Sequence, residues 1–195
     1  MLLHESNKVD DRHSEDRYLA LARRGDRQAF ATLVRVHQRA VHGLALRMLN
    51  RSDLAEELAQ DVFLKMFHTL SELESADHLR FWLRRVTAIL AIDRLRQPAV
   101  SRAHLGLDAV ELPASDHGDD PLLQRTLQGL VAALEPSARA VVTLRYQEDL
   151  DPGDIAAVLG MPVNTVKSHL KRSLASFRMQ LGATESALEE GACND

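Results

Sequence analysis

Cysteine occurs once in the 195 residues, as Cys193. A lone thiol builds neither a disulfide framework nor a thiolate metal cluster, so a reducing, cytoplasmic setting is expected. No apolar run reaches the length of a membrane-spanning helix, and the opening MLLHESNKVDDRHSED turns polar and acidic too early for a signal peptide, so no membrane partner is expected. Also lacking are a glycine-rich phosphate loop, a nucleophile–base set and a cofactor fingerprint, which speaks against an enzyme and against any cofactor. His37 and His42 lie five apart, off the four-residue helical step of paired metal ligands, and no Cys or carboxylate cluster completes a site. The nine histidines therefore read as surface and packing residues. Strong positive charge is missing too, with 24 Lys and Arg against 28 Asp and Glu and a formal net charge of -4. A protein that holds nucleic acid alone draws its affinity from neutralising phosphates, so a chain of this balance needs help to do so.

What is present is enough apolar sequence for packed cores, 45% hydrophobic against 27% charged. The charge is unevenly placed. Residues 14–97 hold fourteen basic and eleven acidic side chains, and residues 122–181 hold seven and five. Residues 98–121 hold one and five, and the tail 182–195 none and four. Two mildly basic blocks are thus separated, and followed, by acidic segments. The middle segment, PAVSRAHLGLDAVELPASDHGDDP, has three prolines, two glycines and no sustained period, and reads as a flexible linker.

Both blocks read as helical, giving an all-α chain of two small helical domains. In the first, apolar residues recur at three and four spacing through Phe30, Leu33, Val34, Val41, Leu44, Ala45, Met48 and Leu49, then over 54–70 and 79–95. Gly25-Asp26 and Asn50-Arg51-Ser52-Asp53 supply stop and start signals, with Asp53 expected as an N-cap and Glu56 as its capping-box partner. Three or four helices result. On the helix from Asp53 to Leu70, Leu64 and Phe67 project away from the apolar face, beside Glu57 and Gln60. Further along, the phase of Trp82 groups it with Leu79, Val86 and Leu90 as a core tryptophan. Asp93, on the same side, is expected to be a buried carboxylate paired with an arginine.

In the second block, Leu123, Leu127, Leu130, Val131 and Leu134 mark one helix, and Pro136 opens another. Asp151-Pro152-Gly153-Asp154 then gives a cap, an N1 proline and an acidic first turn before IAAVLG, and Gly160 suits a C-terminal stop. Asn164 is expected to cap the next helix, on which Val166, Leu170, Ser173, Leu174 and Phe177 share one face. Asn164, Ser168, Lys171 and Arg172 lie opposite. A short helix, a tight turn and a second helix with small polar and basic outward residues form the arrangement whose second helix enters the DNA major groove.

The strings DRQAFATLVRVHQRAVHGLALRML, DLAEELAQDVFLKMFHTL and FWLRRVTAILAIDRLRQ resemble region two of the bacterial sigma-70 family, in its small extracytoplasmic-function (ECF) group. ALEPSARAVVTLRYQEDLDPGDIAAVLGMPVNTVKSHLKRSL resembles region four. The resemblance implies a transcription initiation factor that recruits RNA polymerase core, at its clamp coiled coil and flap, to promoter DNA. Polymerase would then supply the affinity that the net charge withholds. The likeness divides the chain into region 2 over 14–97, an acidic linker over 98–121, region 4 over 122–181 and an acidic tail over 182–195. It assigns Glu57, Gln60, Asp61, Leu64 and Phe67 to the polymerase clamp. The minus-ten element falls to Arg80, Arg84, Arg85, Arg94 and Arg96 on phosphates and to the loop 71–77 around an extruded base. Asn164, Thr165, Lys167, Ser168, His169, Lys171 and Arg172 take the minus-thirty-five element. Members of the group are often held by an anti-sigma factor.

Three positions depart from the family pattern. Ile89 stands where asparagine is usual, Asn164-Thr165 replaces glycine-threonine, and His169 replaces a frequent arginine. NTVKSHL also resembles the reading helix of LuxR-type activators, which makes a polymerase-independent DNA-binding regulator the alternative.

Overall fold

The computed structural model describes the backbone of residues 2–97 and 121–192 and the side chains of residues 13–97 and 125–182. The expected linker, 98–121, lies outside them apart from Pro121. The chain divides into two compact units, Met1–Leu112 and Pro113–Asp195. All regular structure among the described residues is helical.

Unit 1 packs α1 (Leu2–Arg23), α2 (Arg27–Leu49), α3 (Ser52–Thr69) and α4 (Ala76–Arg96), with a single 3-10 turn over Leu70–Glu72. Helix α2 is the central element, contacting each of the other three. Its start is fixed by Asp26, whose carboxylate accepts from the amides of Gln28 and Ala29 at 2.8 and 3.1 Å. Its end is fixed by Asn50, which takes the left-handed conformation at φ 52° and donates its amide to the Leu46 carbonyl. Helix α3 is capped two residues before the expected point. Arg51 occupies the cap position without a side-chain bond, and Asp53 sits inside the first turn, where it accepts from the Arg51 guanidinium instead. The arginine competes for the carboxylate that would otherwise cap.

The core of unit 1 is formed by Leu33, Leu44, Met48, Leu49, Leu58, Val62, Met66, Leu73 and Leu79, all almost fully buried. Helix α1 contributes Leu19 and Ala22 to it, together with a buried carboxylate, Glu15. It also ties down the start of α4, since Asp16 accepts from the Ala76 amide at 2.6 Å. The core face of α4 is Leu79, Leu83, Thr87, Ala88, Ala91 and Leu95. That differs from the expected phase. Trp82, Val86 and Leu90 form a half-buried flank, and Asp93 is exposed rather than buried with an arginine. Three helices, α1, α2 and α3, pack on α4, which broadens the buried arc beyond the single stripe that periodicity suggested.

Unit 2 contains α5 (Pro121–Ala132), α6 (Pro136–Tyr146), α7 (Pro152–Leu159) and α8 (Val163–Ala192). Its small core joins Val141 and Leu144 of α6 to Ile155 and Val158 of α7 and Val166 of α8. Arg139 is buried at 4% exposure, and burial pulls its guanidinium down to about 10. It donates to the Ala132 carbonyl and so ties the end of α5 to α6. Helix α8 runs on past Gly182, where the acidic tail was expected to begin. The Ala, Leu and Glu that follow are good helix formers, and a side chain at Gly182 would meet nothing.

Candidate polymerase and nucleic-acid interfaces

The turn between α7 and α8 sets the C-terminal site. Asp151 caps α7 by accepting from the amides of Gly153 and Asp154 at 2.6 and 2.9 Å, with Pro152 in the first helical position. Gly160 stops the helix in the left-handed region at φ 65°, a conformation that costs glycine nothing. The chain then enters α8 two residues earlier than expected. The Pro162 carbonyl accepts the first helical bond from Val166, so Asn164 lies within the first turn and does not cap it. A proline carbonyl closes the turn without any side-chain acceptor.

On α8, Asn164, Lys167, Ser168, Lys171 and Arg172 are all exposed, while Thr165 and His169 are half-buried. Ser168 donates to the Asn164 carbonyl at 2.8 Å, and Arg172 Nε donates to the Ser168 carbonyl at 3.3 Å. These local bonds align the side chains along the helix and leave the outer Arg172 nitrogens to the solvent side. His169 lies at the inner edge of that face. It lines an open cavity of about 330 Å³ with Glu135, Ala138, Arg172 and Ser173. Burial works to raise the Glu135 carboxyl there. The Ser137 and Ala138 amides, the Ser137 hydroxyl and nearby His169 outweigh burial and hold it below the ordinary carboxylate value.

In unit 1 the outward side of α3 carries Glu57, Gln60, Leu64 and Phe67, all exposed, with Asp61 at its edge. Leu64 is 60% exposed and Phe67 55%, large values for side chains of this size on a packed helix. Phe67 is steadied by an edge-on contact with Phe30 of α2, ring centres 5.3 Å apart.

Helix α4 holds the residues expected to meet the minus-ten element, and Arg80 and Arg94 form ion pairs there. Arg80 reaches Glu15 at 2.8 Å and Asp77 at 3.1 Å. Arg94 reaches Glu57 at 3.1 Å and Asp61 at 2.6 Å. Residues assigned to two different sites, one for polymerase and one for DNA, thus meet in a single ion-paired triad. Arg84, Arg85 and Ile89 are half-buried, and Arg96 is exposed at the end of the helix. The loop expected to hold an extruded base is shorter than 71–77. Leu73 is fully buried, Ser75 caps α4 by accepting from His78, and Asp77 lies inside the helix.

Glu15 escaped the sequence reading. It is 6% exposed and lies 3.5 Å from His37, itself buried. Burial, the largest effect, and the Arg80 charge outweigh Glu15 and hold the imidazole below its ordinary value, which favours the neutral ring. The available signal was the spacing of Glu15, Leu19 and Ala22, which puts a carboxylate on the buried face of α1.

Two connected properties define the class: an all-helical chain in two units, and a helix-turn-helix in the second with its cations outward. The description "Sigma-70 region 2" matches residues 33–99, and "Sigma-70, region 4" matches residues 124–177. The chain is 30% identical over 165 residues to the RNA polymerase sigma factor CarQ of Myxococcus xanthus, covering 84% of this chain and 95% of CarQ. It is 27% identical over 172 residues to the ECF RNA polymerase sigma factor SigW of Bacillus subtilis, covering 82% and 92%. Among solved structures it resembles CnrH in complex with the cytosolic domain of CnrY, at a TM-score of 0.62 and 22% identity over 87% of this chain and 98% of that one. It also resembles the sigma factor RpoE in complex with the anti-sigma factor NepR from Bartonella quintana, at 0.59 and 20% over 78% and 96%. The chain belongs to the sigma-70 family, in its ECF group. The LuxR-type alternative is not favoured, because it leaves the region 2 match without an account.

Proposed function

We infer that this chain is a sigma factor that binds RNA polymerase core and directs promoter recognition, DNA opening and transcription initiation. The observation that carries the inference is the outward side of α3. A folded helix leaves Leu64 and Phe67 more than half exposed beside carboxylates, in a chain whose net charge of -4 cannot hold DNA by counterion release alone. An apolar centre ringed by polar groups is what a protein partner buries.

In this reading Glu57, Gln60, Asp61, Leu64 and Phe67 grip the clamp coiled coil of polymerase. Arg84, Arg85 and Arg96 follow the phosphates of the opened minus-ten element, and Ile89 replaces a polar contact to a base edge and shifts the preference there. The 14–97 block works as region 2, and residues 122–181 as region 4, which meets the flap and the minus-thirty-five duplex. Asn164, Lys167, Ser168, Lys171 and Arg172 face that duplex, and half-buried His169 supports the helix from behind. Phosphodiester chemistry stays with the core, so the chain itself is not a catalyst. An anti-sigma factor is proposed as a regulatory partner on the pattern of the complex of RpoE with NepR. Among the described residues no helix is long and apolar enough to cross a membrane.

Run-off transcription with purified polymerase core on a genomic promoter library tests this. The expected result is a set of chain-dependent transcripts sharing a minus-ten and minus-thirty-five pair at fixed spacing. No chain-dependent transcript from any promoter would sink it.

A further inference from the structure

We propose that Arg94 is a positioning residue for the acidic pair on α3, holding Glu57 and Asp61 ready for a cationic group of polymerase, and is not a DNA contact. The proposal rests on the sigma-factor reading above.

Three observations carry it. First, the guanidinium is spent inward. Nη1 donates to Glu57 at 3.1 Å and to the Leu54 carbonyl at 3.4 Å, and Nη2 donates to Asp61 at 2.6 Å. A group that grips a phosphate must turn its fork to solvent, and this one is turned to the neighbouring helix. Second, exposure runs the wrong way for a DNA contact and the right way for a positioning role. The Arg94 side chain is 19% exposed, whereas Glu57 is 65% and Asp61 49% exposed. Each carboxylate gives one oxygen to Arg94, Oε2 of Glu57 and Oδ2 of Asp61, and its second oxygen takes no bond from a described residue. Third, the two acids lie four apart on one helix, where like charges repel. The guanidinium between them removes that repulsion and fixes both side chains at the edge of the surface that presents Leu64 and Phe67.

The physical consequence is preorganisation. Two rotamer-rich acidic side chains that would otherwise be ordered on binding are ordered beforehand, and that ordering cost is removed from the association. The guanidinium meets the two carboxylates with separate nitrogens held in one plane, a fixed spacing that lysine, a point charge, does not reproduce fully.

The test measures affinity for purified polymerase core and, separately, initiation at saturating core. Arg94→Gln should weaken core binding by about tenfold. At saturating core, initiation and minus-ten base preference should stay within about twofold of the parent. Glu57→Gln with Asp61→Asn should weaken binding similarly, and adding Arg94→Gln to that pair should cost nothing further, because the group it positions is already gone. Wild-type core binding by Arg94→Gln, or a loss of initiation that persists at saturating core, overturns the proposal, the latter placing Arg94 on DNA. If Arg94→Gln does not fold, Arg94→Lys carries the same test with a smaller expected loss, and unchanged core affinity in that variant overturns it. A parent protein that fails to bind core refutes the sigma-factor reading instead.

Discussion

The two units spend their charge in opposite ways. In unit 1, arginines cross from helix to helix: Arg80 of α4 meets Glu15 of α1, and Arg94 of α4 meets Glu57 and Asp61 of α3. In unit 2, the cations of the reading helix stay outward, and Arg172 bonds only to a carbonyl of its own helix. A basic residue therefore does not announce its role by its type. Its role follows from whether an acid of a neighbouring element stands within reach. Unit 1 offers such acids and converts charge into architecture and a shaped acidic surface; on α8 Arg172 shares a cavity with Glu135 but forms no ion pair to it, and its charge stays for a ligand.

Four perturbations would break or sharpen this contrast. Leu64→Asp with Phe67→Asp should abolish co-purification with polymerase core while helical content by circular dichroism stays unchanged, since both side chains are exposed. Core binding by the folded double variant would remove α3 from the interface. Next in size, Glu15→Gln leaves Arg80 and His37 without their shared carboxylate and should cost unit 1 about 3 kcal/mol, the lower end for breaking a buried pair because Arg80 keeps Asp77. Trp82 is the chain's only tryptophan and lies in unit 1, so its fluorescence during urea unfolding reads this loss directly. An unchanged midpoint would mean that the buried pair contributes nothing.

Arg172→Ala should act on DNA alone. It should cost roughly 1 to 3 kcal/mol of discrimination at one minus-thirty-five base pair if Arg172 reads guanine. Loss that is uniform across sequences would assign it to phosphate. The mildest perturbation is acid. His37 has a folded value below its ordinary 6.5, so the unfolded chain takes up the proton more readily. The His37 contribution to unit 1 is therefore complete above about 6.5 and is lost as pH falls through the folded value. His37→Gln should flatten that part of the Trp82-detected stability profile. An equally steep acid limb in the variant would assign the dependence elsewhere.

Much of this was legible from the sequence, and the part that was not has two physical origins, one distant and one local. Helical periodicity, Gly160, Asp151 and Asp26 are local signals, and they placed the helix-turn-helix and most helix ends. The outward position of Leu64 and Phe67 followed from the same periodicity. The larger failures depended on a second element. The face of α4 was misjudged because α1, α2 and α3 all pack on it, and Asp93 is left exposed. The caps failed locally: Arg51, two residues back, captured the Asp53 carboxylate, and the Pro162 carbonyl took the place expected of Asn164. The partners of Arg94 lie 33 and 37 positions away, and no spacing rule reaches that far.

That reach also governs when each unit can close during synthesis. Asp16 meets Ala76 across 60 positions and Glu15 meets Arg80 across 65, whereas in unit 2 Arg139 meets Ala132 across 7 and Arg145 meets Leu150 across 5. Distant partners make for slow folding, since the ordering of the intervening chain comes before the reward. At about 5 to 20 residues per second, Glu15 leaves the ribosome roughly 3 to 13 s before Arg80 does. Unit 1, although made first, stays open until α4 has emerged, and unit 2, although made last, closes on its own nearby contacts. Pulse-labelled amide exchange during refolding of the full chain should accordingly show protection in α6 and α7 before protection at the α1–α4 junction.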